Sequence, residues 1–95
     1  MKFEEVKNFV NGSFKPGSSD KTHAVISPLD GETLSTFKES TMTDLNEIIE
    51  HAQKAQKAWQ KVTLKERVQV FYRYKQLLEK NNAELTEIIY RENGK

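Results

Sequence analysis

STMTDLNEIIEHAQKAQKAW, residues 40–59, is where the chain changes its period. Leu45, Ile48, Ile49, Ala52, Ala55 and Trp59 recur at helical spacing and fall on one stripe, the pattern of a helix with one apolar face. Thr41 and Asp44 stand three apart ahead of that stripe, the spacing of a capping box, with Asp a weaker partner than Glu in the second position. Glu47, Glu50 and Lys54 form its solvated face, with Glu50 and Lys54 paired at i,i+4.

Downstream the helical period continues. Thr63 and Glu66 make a stronger capping box, and Val70, Phe71, Tyr74, Leu77 and Leu78 share the face of a second helix. Trp59, closing the first helix, is placed to staple it to the second. Asn81 and Glu84 open a third helix that carries Leu85, Ile88 and Ile89 to Asn93-Gly94-Lys95, where Gly and a basic residue signal its C-terminus. The connections are short, so neighbouring helices are expected to pack roughly antiparallel.

Upstream the texture is strand and turn. Phe9-Val10, Asn11-Gly12 and Ser13-Phe14 read as a hairpin on a type I′ turn, because Asn-Gly tolerates positive φ at both central positions. Pro16–Lys21 is a polar loop. His23–Ile26 is a short strand, stopped by Pro28, and Asp30-Gly31 is a second turn. Beyond it Thr33–Phe37 alternates, with Leu34 and Thr36 on one side. The class is therefore α+β: N-terminal β-hairpins over residues 1–40, then about three packed helices over 41–95.

Composition narrows the function. The chain has 95 residues, enough for one small domain, and a chain of this size buries roughly 60–70% of its unfolded surface. Its 15 basic and 14 acidic residues are interspersed, for a net charge of +1, which does not suit nucleic acid. No segment reaches the length of a membrane helix, and the first ten residues lack the apolar core of a secretory signal. With no cysteine, disulfides, thiolate ligands and a cysteine nucleophile are excluded within these residues. A cytoplasmic location is expected.

Candidate chemistry is sparse. The four glycines, at 12, 17, 31 and 94, lie singly in turns and build no phosphate loop. His23 and His51, 28 positions apart, read as structural histidines rather than a shared metal site. Six serines (13, 18, 19, 27, 35 and 40) lack any context that would activate a nucleophile. No catalytic and no cofactor-binding residue is identified.

The order of the parts is more telling than any one of them. FVNGSF, HAVISPLDGETLSTF, a stripe ending KAQKAW, LKERVQVFYRYKQLLEKNNAEL and a terminal ENGK follow one another. This closely resembles the N-terminal segment of the aldehyde dehydrogenase superfamily over the chain from Phe9 onward. Asn11-Gly12, Pro28, Gly31-Glu32, Trp59, Glu66-Arg67, Leu77 and Glu92-x-Gly94-Lys95 fall in register with that family. The aromatic-rich run 70–78 looks most like the methylmalonate-semialdehyde dehydrogenase branch.

The resemblance implies an N-terminal piece of a much longer, NAD-dependent enzyme. In such enzymes a downstream cysteine attacks the aldehyde, hydride passes to NAD, and in this branch coenzyme A receives the acyl group as carbon dioxide is lost. It also implies a structural Na⁺ or K⁺ held by the Ile26 carbonyl and the Glu92 carboxylate, completed by a downstream ligand, though Glu92 alternatively balances Arg91 or Lys95. Partners would be the remainder of the dehydrogenase chain and further copies in a homo-oligomer. Two departures stand out. Ser27 replaces the usual Asn before Pro28, weakening a polar contact in the turn, and Gln56-Lys57 replace a Phe-Pro, leaving the first helix unbroken into Trp59. If the chain is such a piece, Phe3, Val6, Phe9, Val10, Phe14, Val25 and Ile26 lack their cover and favour dimers or strand exchange. A stand-alone helical interaction module is the alternative reading.

Overall fold

The structure, a computed structural model, describes residues 1–94. Strands β1 (Asn8–Val10) and β2 (Ser13–Lys15) are joined by Asn11 and Gly12, whose φ angles of 50° and 81° are both positive, as a type I′ turn demands. The register pairs Phe9 with Phe14, and their rings meet at 5.1 Å between centroids. Strands β3 (Thr22–Ile26) and β4 (Thr33–Lys38) form a second antiparallel pair, with a register shift between Val25 and Ile26.

The turn between β3 and β4 is held locally. Ser27 N–H donates to the Glu32 carbonyl at 2.8 Å, Gly31 N–H to the Ser27 carbonyl at 3.0 Å, and Glu32 N–H to Asp30 Oδ1 at 2.9 Å. On the other edge of β4 the N-terminal residues run alongside, with Phe3 N–H donating to the Leu34 carbonyl and Val6 N–H to the Thr36 carbonyl. Val6 makes only an isolated bridge to Phe37, so these residues are an attached strip rather than a strand. Leu34 is 1% exposed, and its neighbour Ser35 is buried on the opposite face. Simple alternation along β4 fails because the Ser35 hydroxyl donates to the Glu4 carbonyl at 2.5 Å, which satisfies a polar group under the strip.

Helix α1 (Met42–Trp59) begins with a complete capping box. Asp44 N–H donates to Thr41 Oγ1 at 3.2 Å and Thr41 N–H to Asp44 Oδ2 at 2.9 Å. At α2 (Leu64–Lys80) only half a box forms: Glu66 N–H reaches Thr63 Oγ1 at 3.3 Å, with no bond returned by the Glu66 side chain. The strengths expected from sequence are thus reversed. Asp44 is fixed from outside, since Ser18 N–H and Ser18 Oγ also donate to its Oδ2, at 2.9 and 2.8 Å, whereas no such loop reaches Glu66. α1 runs through Gln56-Lys57 to Trp59 without a break.

Helix α3 (Asn82–Asn93) follows after one residue, Asn81. No capping box with Glu84 forms there. The Asn81 side chain turns backward instead, donating through Nδ2 to the Leu77 carbonyl at 2.8 Å and closing α2. At the far end Gly94 takes φ 73° and its N–H reaches the Tyr90 carbonyl at 2.9 Å, the left-handed stop expected there. Lys95 lies outside the described residues.

The three helices enclose no core between them. A one-residue link is shorter than the 2–5 residues of an αα-hairpin, and no residue of any of the three helices is buried. Phe71, on the shared apolar face of α2, is 64% exposed, and Val70, Tyr74, Leu77, Leu78 and Trp59 are exposed too. The radius of gyration is 16.9 Å, against about 12–13 Å for a compact chain of this length. Accessible area is 7928 Å², about 2,300 Å² above what a folded monomer of this mass exposes.

Two outcomes follow from the junction of strands and helices. Three hydrogen bonds to Oδ2, two from backbone N–H groups and one from a hydroxyl, depress the Asp44 pKa from 3.8 to about 2. This carboxyl therefore stabilises the fold above pH 3.8, and the contribution is lost as pH falls from 3.8 to about 2. The protection of the Ser18 amide relative to its intrinsic exchange rate should fall over that window, and Asp44→Asn should leave that protection low at every pH. Gly17 packs so closely on residues 38 and 39 that any Cβ would run into the Glu39 carbonyl. Gly17→Ala should cost about 1–3 kcal/mol in a denaturant melt.

Candidate functional site

The β3–β4 turn and the end of α3 come together although 64 positions separate Ser27 from Arg91. Ser27 is 3% exposed. Its hydroxyl donates to the Arg91 carbonyl at 3.4 Å and accepts from Leu29 N–H at 3.2 Å. Pro28 and Leu29 sit against Gly94: a Cβ there would lie 3.1 Å from Pro28 Cγ and 3.6 Å from Leu29 Cδ2. Ser27 is thus a working turn residue, bonded on both sides of the junction.

This junction places Ile26 and Glu92, the two candidate cation ligands, on segments in contact with each other. Glu92 is not the partner of Arg91, because Arg91 pairs with Glu87 at 3.5 Å one helical turn back. Glu92 enters no ion pair among the described residues, and any pairing with Lys95 falls outside them. A helix C-terminus carries the negative end of the helix dipole, and a backbone carbonyl with a carboxylate suits a hard monovalent cation. The donor set therefore fits Na⁺ or K⁺. Among the described residues no three His, Asp or Glu side chains gather as a metal site of their own.

The remaining polar groups are engaged structurally. His23 Nε2 lies 2.5 Å from Glu39 Oε1 and its ring stacks on Phe37 at 5.3 Å. The hydrogen bond from His23 holds the Glu39 carboxyl below its ordinary range. His51 faces Glu47 at 3.9 Å on its own helix. Ser18 does contact a carboxylate, but a group titrating near 2 is too weak a base to activate a hydroxyl at neutral pH. Among the described residues no serine has a histidine partner. Sequence reasoning missed the His23–Glu39 and Ser18–Asp44 contacts. The first was within reach, since the observed register of β3 with β4 brings both ends of the hairpin together. The second depends on a loop path that no pattern encodes.

Comparison with known proteins gives this geometry its setting. The sequence model of the Aldehyde dehydrogenase family matches residues 14–95. A malonate-semialdehyde dehydrogenase of Halalkalibacterium halodurans is 38% identical over 92 residues, covering 97% of this chain and 19% of that protein. A D-glyceraldehyde dehydrogenase (NADP(+)) of Thermoplasma acidophilum is 38% identical over 91 residues, 96% of this chain and 18% of that one. The crystal structure of an NAD-dependent benzaldehyde dehydrogenase from Corynebacterium glutamicum superposes with a TM-score of 0.88 at 31% identity, over 93% of this chain and 19% of that chain.

The chain thus spans less than a fifth of the length of each of these relatives. Short antiparallel strands followed by three helices are the N-terminal part of that enzyme fold. No described helix is long and apolar enough to cross a membrane. On the match over residues 14–95 and the agreement in fold, this chain belongs to the aldehyde dehydrogenase family.

Proposed function

We propose that these residues are the non-catalytic N-terminal segment of an NAD-dependent, CoA-acylating dehydrogenase of malonate or methylmalonate semialdehyde. The whole enzyme would convert semialdehyde, CoA and NAD to acyl-CoA, carbon dioxide and NADH. The observation that carries the reading is the uncovered surface. One large apolar side chain, Leu34, is fully buried, while Phe9, Phe14, Phe71, Tyr74 and Leu77 stand exposed. An excess of about 2,300 Å² over a free-standing monomer is what a segment built to lie against a larger body presents. The similarity to a malonate-semialdehyde dehydrogenase supports the substrate class.

Within that enzyme the segment's own residues would have two tasks. The Ser18–Asp44–Thr41 network fixes the strands to α1, and Ile26 and Glu92, which flank the Ser27–Arg91 contact, would hold a monovalent cation. NAD, coenzyme A and the thiol that forms the acyl-enzyme belong to the body, since these 95 residues contain no cysteine. The other partners are the remainder of the chain and further copies of the enzyme.

Purified 95-residue protein should form no NADH from malonate semialdehyde, CoA and NAD, whereas the segment joined to the body its relatives carry should form it. NADH production by the segment alone would overturn the reading. In that longer enzyme, Glu92→Gln should abolish stabilisation by added KCl or NaCl in a thermal melt. Glu87→Gln, which removes only the Arg91 pairing, should retain it. Equal salt responses in both variants would rule out the cation site.

A further inference from the structure

Asn11-Gly12, Asp30-Gly31 and Asn93-Gly94 each set a side-chain amide or carboxyl directly before a glycine. With no Cβ on the glycine, its backbone nitrogen can approach the carbonyl carbon of the preceding side chain. Exposure does not separate the three steps, because all of these residues are exposed. The state of the glycine nitrogen does. Gly94 N–H donates to the Tyr90 carbonyl at 2.9 Å, and Gly31 N–H to the Ser27 carbonyl at 3.0 Å. Asp30 Oδ1 is held as well, by Glu32 N–H, and Pro28 Cγ crowds Gly94. Gly12 N–H has no backbone acceptor among the described residues, and the space where its Cβ would stand is open.

We infer that Asn11 is a self-modification site, where the Gly12 nitrogen converts the Asn11 amide to a carboxyl group, while the fold protects Asp30 and Asn93. The Gly12 nitrogen gives up its proton to hydroxide and attacks Asn11 Cγ. A Cγ–N bond forms, the bond from Cγ to Nδ2 breaks, and ammonia leaves after taking a proton from water. The cyclic imide then takes up water. Opening at Cγ leaves aspartate, and opening at the main-chain carbonyl leaves isoaspartate, in which the chain runs through the side-chain carbon. Nothing is oxidised or reduced.

Cyclisation requires Asn11 to rotate about its Cα–C bond and so to leave the type I′ turn. That opening is cheap at the hairpin. β1 and β2 form a sheet of their own with three residue pairs in register, and a two-stranded hairpin alone is marginally stable. At Asn93 the same rotation has to break the Gly94 hydrogen bond and lift Gly94 from Pro28. The reaction needs water and no open apolar face, so it does not depend on what covers Phe9 and Phe14. Aspartate keeps the hairpin, since Asp-Gly suits the same turn. Isoaspartate lengthens the main chain between the strands and takes Phe9 and Phe14 out of register. The inference goes beyond the proposed function and stands without it, since neither NAD nor an aldehyde takes part.

Peptide mapping by mass spectrometry tests this on the segment joined to the body its relatives carry, incubated at mildly alkaline pH. The Asn11 amide should be lost roughly fivefold or more faster than that of Asn93, the factor that one net hydrogen bond sets, with isoaspartate appearing beside aspartate. In denaturant the two Asn-Gly steps should react at similar rates. Asn11→Gln should remove conversion at the hairpin and leave that of Asn93 unchanged. Equal rates at the two steps in the folded enzyme overturn the proposal, as does a preference for Asn11 that persists undiminished in denaturant. The readout is a change of covalent structure, independent of whether the enzyme acts on a semialdehyde.

Discussion

A single carboxylate oxygen joins the two halves of this chain. Asp44 Oδ2 accepts from Thr41 N–H, Ser18 N–H and Ser18 Oγ, all between 2.8 and 2.9 Å. Two of those donors belong to a loop more than twenty residues upstream, so one side chain both starts α1 and sets where the loop lies. Around it the backbone closes tightly: Ser19 N–H donates to the Glu39 carbonyl, Glu39 N–H to the Lys21 carbonyl, and Gly17 fits where no side chain would. Asn8 adds a bond to Ser40, and Lys15 an ion pair to Glu47. The β-half is thus positioned on α1 largely by polar contacts.

That arrangement explains how a defined path coexists with so little burial. In a self-sufficient domain, apolar burial provides most of the driving force and polar contacts supply specificity. Here the local geometry is specified, through turns, caps and the Asp44 network, while the apolar surface is left facing outward. The opened faces lie on all three helices and on the first hairpin, so the cover they call for is extensive. Relatives more than five times as long are of the size to provide it.

Short-range chemistry was legible in the sequence wherever a residue's own backbone decided the outcome. Asn11-Gly12 announced positive φ at both positions, Gly94 announced the left-handed stop, and Thr41 and Asp44 announced a cap. Prediction failed where a third residue intervened. The Thr41 box outdid that of Thr63 because Ser18 arrived from outside, and the Asn81 side chain capped the helix behind it, at the Leu77 carbonyl, rather than the one ahead. Burial of the helical stripes was misread for a different reason. Periodicity shows that a face wants cover, and it is silent on whether the cover lies within the same stretch of chain. Ile26 and Glu92 were paired through family resemblance alone; no spacing rule joins positions so far apart.

Asn81 carries a consequence for how this region can change over time. Most connections between helices have slack, and lengths drift by a residue or two without harm. A link of one residue has none. Adding or deleting a residue there would turn α3 by about 100° about its axis and carry Gly94 away from Pro28, dismantling the seat of the β3–β4 turn. Point replacements at Asn81 should be survivable, but its length is frozen, as the tooth count of a gear is fixed by the wheel it meshes with.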